Sequence, residues 1–279
     1  SMVRADLLDC VDRSLRLNRA EPDKPFGGIQ MIFIGDLYQL PPVVTSLEKT
    51  GFRSVYPTPY FYSAKVFDAF DMEFLELEKI YRQHDPEFID LLNSIRNRSI
   101  TAEDLESLNR RCDPEFEPSP GDHYIYLTTT NDLAARINNT RLRSLRSKPY
   151  LFIGEIQGEF GNEYLPTAIE LQVKAGAQIM MLNNDPDGRW VNGTIGEVAG
   201  IERDSNGDRT IIAKLPEGEV EVSPYTWEIY QFNVDNGFLQ SEVVGTFTQY
   251  PLMLAWAITI HKSQGKTFDR VVIDIGSGT

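Results

Sequence analysis

Tyr124-Ile125-Tyr126-Leu127-Thr128-Thr129-Thr130-Asn131 reads as a strand running into a polar turn, and Leu133, Ile137 and Leu145 beyond it supply the apolar positions of a helix. Strand, turn and helix in that order make one half of a βαβ unit. The same texture returns near the carboxyl end. There Leu252 to Ile258 is apolar, Thr259 to Thr267 is polar, and Val271 to Ile275 is apolar again. From about Ile169 the segments between are short and alternating, broken by the turn dipeptides Asn192-Gly193, Asn206-Gly207 and Asn236-Gly237. That is the pattern of a small antiparallel barrel. The chain is therefore expected to be α/β, with parallel-sheet domains and a β module inserted into one of them.

Upstream, Ile29 to Ile34 is a continuous apolar run after a Phe26-Gly27-Gly28 turn. Such a run suits a strand buried on both faces of a parallel sheet. Gly35-Asp36-Leu37-Tyr38-Gln39-Leu40 follows it, and Pro41 and Pro42 then stop the ladder. Val3, Leu7, Leu8, Val11 and Leu15 fall on one face of an amino-terminal helix. Asp85 before Pro86 predicts a capped helix with Phe88, Leu91, Leu92 and Ile95 as its stripe. Thr101 to Asp104 predicts another, opened by a capping box with Asp in place of Glu.

With 279 residues, the chain has room for one large domain or two to three smaller ones. Its 41% hydrophobic and 24% charged residues exclude a disordered tail, a collagen-like rod and a coiled coil. The net charge of -14 argues against coating nucleic acid or anionic membrane over the whole surface, but it leaves room for a local basic groove. Arg136, Arg141, Arg143, Arg146 and Lys148 form such a stretch with no acid in it. It lines a nucleic-acid path or makes a solvated helix face. Cys10 and Cys112 stand far apart, which gives neither a disulfide scaffold nor a zinc site and suits a reducing compartment. No apolar run approaches membrane-spanning length, and the start of the chain has no signal pattern, so a cytoplasmic protein is expected.

Ligands of open parallel sheets bind beyond the carboxyl ends of strands, which makes Asp36 and Gln39 the first candidates. A glutamine amide can contact a phosphate oxygen and an attacking water together. The plainer role of both residues is to satisfy the turn. Arg82, in Tyr81-Arg82-Gln83, could reach a phosphate as a finger or form a surface ion pair. Gly265-Lys266-Thr267 is not a phosphate loop, because Ile260 stands where such a loop needs glycine. Around it, Thr259, His261, Lys262, Ser263 and Gln264 supply hydroxyls, an imidazole, an ammonium and an amide suited to a polynucleotide backbone. The plainer role of His261 is a satisfied histidine packed at a strand end. His84, His123 and His261 have no metal-ligand spacing, so no metal site is expected from them. Trp190, Tyr225, Trp227, Tyr230 and Phe232 are stacking surfaces or the core of the β module.

Taken in order, these stretches resemble the PIF-type and RecD-like superfamily-one DNA helicases. Phe26 to Pro42 is similar to motif III, Tyr81-Arg82-Gln83 to motif IV, and Leu254 to Gly265 to the DNA-contacting motif V region. The resemblance implies two RecA-like domains that clamp ATP, the second interrupted by a small barrel of the Src-homology type. On that reading residues 1–98 are the carboxyl-terminal part of the first domain, 99–168 and 251–279 form the second, and 169–250 form the barrel. The resemblance also implies roles. Gln39, beside Asp36, senses the γ-phosphate, and Arg82 is an arginine finger. Gln264 and Gly265 border the nucleotide. Thr259, His261, Lys262 and Ser263 meet single-stranded DNA, and Asn131 is a further DNA-facing candidate. Trp190 to Thr194 falls in the barrel region.

The departures from the family matter too. The phosphate loop and the acidic pair that holds Mg²⁺ are expected upstream of Ser1, and the motif VI arginine after Thr279. Lys266 stands where many relatives carry an apolar residue. The expectation is a piece of an ATP-dependent helicase that moves 5′ to 3′ on single strands and acts on forked DNA. The parent would use ATP and Mg²⁺, while these residues alone would bind neither tightly and hydrolyse nothing. Open sheet edges would favour a non-native dimer, and a bacterial parent would be nucleoid-associated. The alternatives are a non-catalytic module that binds single-stranded nucleic acid, and a protein-interaction module built on the barrel.

Overall fold

The apolar spacing at the amino terminus produces helix α1 (Ala5–Asn18) in the computed structural model, which describes residues 2–45, 48–69, 71–81, 83, 85–119, 122, 124–203, 209–235 and 238–274. The chain divides into two compact units, Ser1–Phe116 and Glu117–Thr279.

In the first unit Ala5 and Leu8 of α1 are buried with Phe26, Phe52, Ala64 and Val66. Two acids of the same helix tie loops to it. Asp9 accepts from the Tyr56 hydroxyl at 2.8 Å and from the Lys65 and Val66 amides at 3.1 Å each. Asp12 accepts from the Phe26 amide and from Arg16. Gly27, at φ +61°, lies so close to α1 that a Cβ there would come 2.6 Å from the Leu15 carbonyl oxygen. After it, Ile29 to Ile34 forms no strand, contrary to the expectation of a run buried on both faces. Phe33 turns inward, with ring centroids 5.9 Å from Phe26 and 5.8 Å from Phe67, whereas Ile32 and Ile34 are 79% and 88% exposed. One face is held by the core, but no strand among the described residues pairs with the segment. A ladder needs that neighbour.

Helix α2 (Lys49–Val55) contributes Phe52 to this core. Helix α3 (Pro86–Arg96) starts as expected, with the Asp85 carboxylate accepting from the Phe88 amide at 3.2 Å. Helix α4 (Ala102–Asn109) opens with both halves of its capping box: Asp104 N donates to Thr101 Oγ1 (3.1 Å) and Thr101 N to Asp104 Oδ2 (2.9 Å).

The second unit begins with strand β1 (Ile125–Thr128) and helix α5 (Asn131–Ser144), capped by the Thr130 hydroxyl. Then come β2 (Tyr150–Ile153), β3 (Glu155–Gly158), β4 (Glu170–Val173), β5 (Gln178–Met181) and β6 (Ile195–Arg203). They are followed by β7 (Arg209–Leu215), β8 (Gly218–Val222), β9 (Tyr225–Asp235), β10 (Phe238–Gln249) and β11 (Leu252–Leu254). Strand β12 (Ala257–Thr259), the short helix α6 (Ile260–Ser263) and β13 (Val271–Asp274) complete the unit.

The expected parallel sheet is present, in the order β12-β1-β13. The antiparallel strands form sheets β11-β5-β6-β7-β8, β3-β10-β9 and β2-β4, with no closed ring of strands among the described residues. Ile179, Met181, Val198, Ile211 and Leu252 lie at the centre of the core these strands enclose. Asn192-Gly193 lies in the β5–β6 connection, and Asn206-Gly207 and Asn236-Gly237 lie outside the described residues. No helix among the described residues is long and apolar enough to cross a membrane.

Candidate nucleic-acid interface

Strands β1 and β12 run parallel and end level, with Thr128 opposite Thr259. Both threonines are buried, and Thr128 Oγ1 donates to the Thr130 carbonyl (3.1 Å) and the Ile258 carbonyl (3.4 Å). A buried amide on α5 fixes this edge from behind. Asn138 Nδ2 donates to the carbonyls of Ala257 (2.8 Å) and Leu254 (3.3 Å), and Asn138 Oδ1 accepts from the Ala257 amide (2.9 Å). Gln178 adds a second clamp, donating to the carbonyls of Ala255 (2.9 Å) and Tyr124 (3.2 Å). The loop after β12 therefore leaves a rigid carboxyl edge, where ligands of parallel sheets collect.

The structure brings Thr259, His261, Lys262, Ser263, Gln264 and Gly265 together on that loop. Thr259 acts locally as the cap of α6, accepting from the Lys262 amide at 3.4 Å. The Ser263 hydroxyl donates to the Ile260 carbonyl at 2.7 Å. His261 and Lys262 are exposed, and Asn131 is exposed at the start of α5, directly after the turn that follows β1. Although Lys262 is open to solvent as a residue, desolvation of its ammonium lowers its pKa from the ordinary lysine value. Gln264 Nε2 is buried with no acceptor among the described residues. A buried donor without a partner costs on the order of 1–3 kcal/mol, and an incoming oxygen would satisfy it.

The loop has a neighbour from the antiparallel strands. Between β5 and β6 the Asp185 carboxylate grips Arg189 at 2.7 and 2.8 Å, and that guanidinium holds the carboxyl below its ordinary pKa. Arg189 also lies 4.8 Å over the Trp190 ring, whose Nε1 donates to Asn183 Oδ1 at 3.0 Å. Trp190 is thus buried core, and Trp227 stacks on Phe247, while Tyr230 and Phe232 are exposed. Of the basic stretch, Arg136, Arg143, Arg146 and Lys148 are exposed, and none of them pairs with an acid among the described residues.

In the first unit, Asp36 Oδ1 accepts from the Tyr38 amide at 3.0 Å, and the Gln39 amide closes the turn on the Asp36 carbonyl at 3.2 Å. Arg96 stands 3.8 Å from Asp36 and 4.6 Å over the Tyr38 ring. Asp36 thus has a structural duty, and the exposed Gln39 donates its side-chain amide to Asp36 Oδ2 at 3.5 Å. Arg82 lies outside the described residues.

A nucleotide would find a partial fit. Gln264 offers a buried amide with no acceptor among the described residues, but the 279 residues contain no glycine-rich loop ending in Gly-Lys-Ser/Thr to cradle phosphates. Asn138, Gln178, Asp185 and Arg189 are not singled out by motif spacing. For Asn138 a signal did exist: it falls between Ala134 and Leu142, four residues from each, on the buried face of α5.

Residues 1–106 match the family model of PIF1-like helicases. Over 285 residues the chain is 33% identical to the ATP-dependent DNA helicase PIF1 of Homo sapiens, covering 99% of this chain and 41% of that protein. Over 270 residues it is 30% identical to the ATP-dependent DNA helicase Pif1 of Bdellovibrio bacteriovorus, covering 95% and 56%. The fold is similar to the crystal structure of Bacteroides Pif1 bound to ssDNA, with a TM-score of 0.77 and 36% identity over 100% of this chain and 63% of that one. It is also similar to Pif1 helicase from Candida albicans, with a TM-score of 0.75 and 26% identity over 98% and 64%. The chain thus spans 41% to 64% of the length of these relatives. Motifs, parallel sheet and sequence agree in their likeness to the PIF1-like helicases, whose family model residues 1–106 match.

Proposed function

We propose that these residues are the DNA-gripping part of an ATP-dependent DNA helicase that moves 5′ to 3′ on single strands and opens forked duplex. The observation that carries this reading is the loop Thr259–Gly265. It leaves the carboxyl edge of the parallel sheet with an exposed imidazole, an exposed ammonium and a buried amide donor that lacks an acceptor among the described residues. His261, Lys262, Ser263 and Asn131 meet the strand, and Gln264 passes its presence toward the nucleotide. Gln39 senses the terminal phosphate, Asp36 holds its turn, and Arg82 stabilises charge on the transferred group. ATP with Mg²⁺ supplies the free energy of translocation. Residues 1–98 belong to a first RecA-like domain and 99–168 with 251–279 to a second, and 169–250 are the counterpart of a Src-homology barrel. The site of action is the cytoplasm, at the nucleoid in a bacterium.

The test uses this chain alone. Fluorescence anisotropy with a labelled oligothymidylate of about 15 nucleotides should show binding that weakens as salt rises. His261→Ala should weaken it several-fold, and added ATP and Mg²⁺ should be turned over no faster than in buffer. Flat anisotropy at low salt would remove the reading. The exposed Arg136, Arg143, Arg146 and Lys148 would equally serve a second reading, a non-catalytic module that binds single-stranded nucleic acid. An immunoblot of source cells separates the two, since a native polypeptide no longer than 279 residues would favour the second.

A further inference from the structure

Lys266 follows directly on the loop Thr259–Gly265, and the structure gives its charge a seat. Its Nζ donates to Asn192 Oδ1 at 3.2 Å, in the β5–β6 connection. The seat is shaped for it. Gly193 has φ +98°, a conformation that favours glycine, and the Lys266 side chain lies against it, with Nζ 2.4 Å and Cδ 3.1 Å from where a Cβ would stand. The turn beneath is held by its own bonds: Asn192 N donates to Asn184 Oδ1 (2.8 Å), Gly193 N to the Met181 carbonyl (2.8 Å), and Val191 N to Thr194 Oγ1 (3.1 Å). Lys266 is tethered from the other side, with its amide donating to the Ser263 carbonyl at 3.1 Å.

An ammonium has three donors, and Asn192 takes one. Lys266 makes no ion pair among the described residues, in a chain with 41 acids against 27 lysines and arginines. It is also partly desolvated, which lowers its pKa from the ordinary lysine value. A half-buried cation that has lost water and gained no carboxylate is suited to an external anion. Four residues back, Lys262 is more exposed, but its ammonium is likewise partly desolvated and makes no ion pair among the described residues.

We propose that Lys266, seated on Asn192 and Gly193, is a phosphate contact that joins the β5–β6 turn to the strand gripped by the Thr259–Gly265 loop. This rests on the DNA-binding reading above and adds to it a contact made jointly by the loop and the antiparallel strands. The ligand chemistry is a phosphodiester oxygen, bound without regard to base.

Two measurements decide it. The first is the salt dependence of oligothymidylate binding by the chain. Removing one phosphate contact from a single strand lowers the slope of log K against log salt by about 0.7. Lys266→Met should show that change and a several-fold loss of affinity, while Lys266→Arg keeps the wild-type slope. A weaker affinity with an unchanged slope would make Lys266 a structural tie between turn and loop, and would overturn the proposal. The second measurement is independent of DNA: the ε-carbon NMR signal of Lys266, identified by its loss in Lys266→Met, during titration with inorganic pyrophosphate. A saturable shift supports the anion seat even if wild-type chain fails to bind oligothymidylate, in which case only the DNA reading falls. No shift, together with an unchanged slope, removes the seat.

Discussion

Asn138 is the side chain on which the candidate interface rests. It makes three hydrogen bonds to the backbone at Leu254 and Ala257, all within 3.3 Å. Asn138→Leu leaves those groups buried without partners, so the chain should lose about 2–4 kcal/mol in urea unfolding and should also bind oligothymidylate more weakly. A second residue has a pH signature. Asp185 has its carboxyl pKa lowered, first by its hydrogen bonds with Arg189, so its contribution is present above the unfolded value and is lost as pH falls through the folded one. Asp185→Asn should therefore lower the urea midpoint at neutral pH, and the gap to wild type should close below about pH 4. The loop residues from Thr259 to Gln264 were legible in the sequence because hydroxyl, imidazole, ammonium and amide in one short run are unusual. Asn138 was less so, because asparagine inside a helix more often faces water.

At the scale of elements, the helices were the legible part. Asp85 with Pro86 and Thr101 with Asp104 act within four residues of where they stand, and both caps form as their spacing predicts. Asp85→Ala and Thr101→Ala should each cost about 1 kcal/mol of stability, read as a lower midpoint in thermal or urea unfolding. The run from Ile29 to Ile34 was misread because a strand depends on partners remote in sequence. Apolar content alone cannot supply the ladder that would bury Ile32 and Ile34. The parallel strands β1, β12 and β13 were legible for a compound reason: apolar run, polar turn and helix at Tyr124 to Asn131, then apolar, polar and apolar again after Pro251. Closure of the antiparallel strands was not, since turn dipeptides mark where strands reverse but not which edges meet.

For the whole molecule, the net charge of -14 and the run of Arg136, Arg143, Arg146 and Lys148, none paired with an acid among the described residues, coexist by segregation, with basic residues gathered where acids are absent. Composition indicated that asymmetry, and the structure leaves it unneutralised. Each unit has its own core, around Phe26 and Phe52 in the first and around Ile179 and Ile211 in the second. The order of the parallel sheet bears on how the chain is made. β1 sits between β12 and β13, and Thr128 reaches the Ile258 carbonyl across 130 residues. A ribosome releases the chain amino end first, at about 5–20 residues per second, so β1 waits on the order of ten seconds before either neighbour emerges. The antiparallel strands, whose partners follow closely, can pair during that interval. The middle strand of the sheet is thus the first synthesised and the last enclosed, and nascent β1 is the segment that a chaperone has most time to meet.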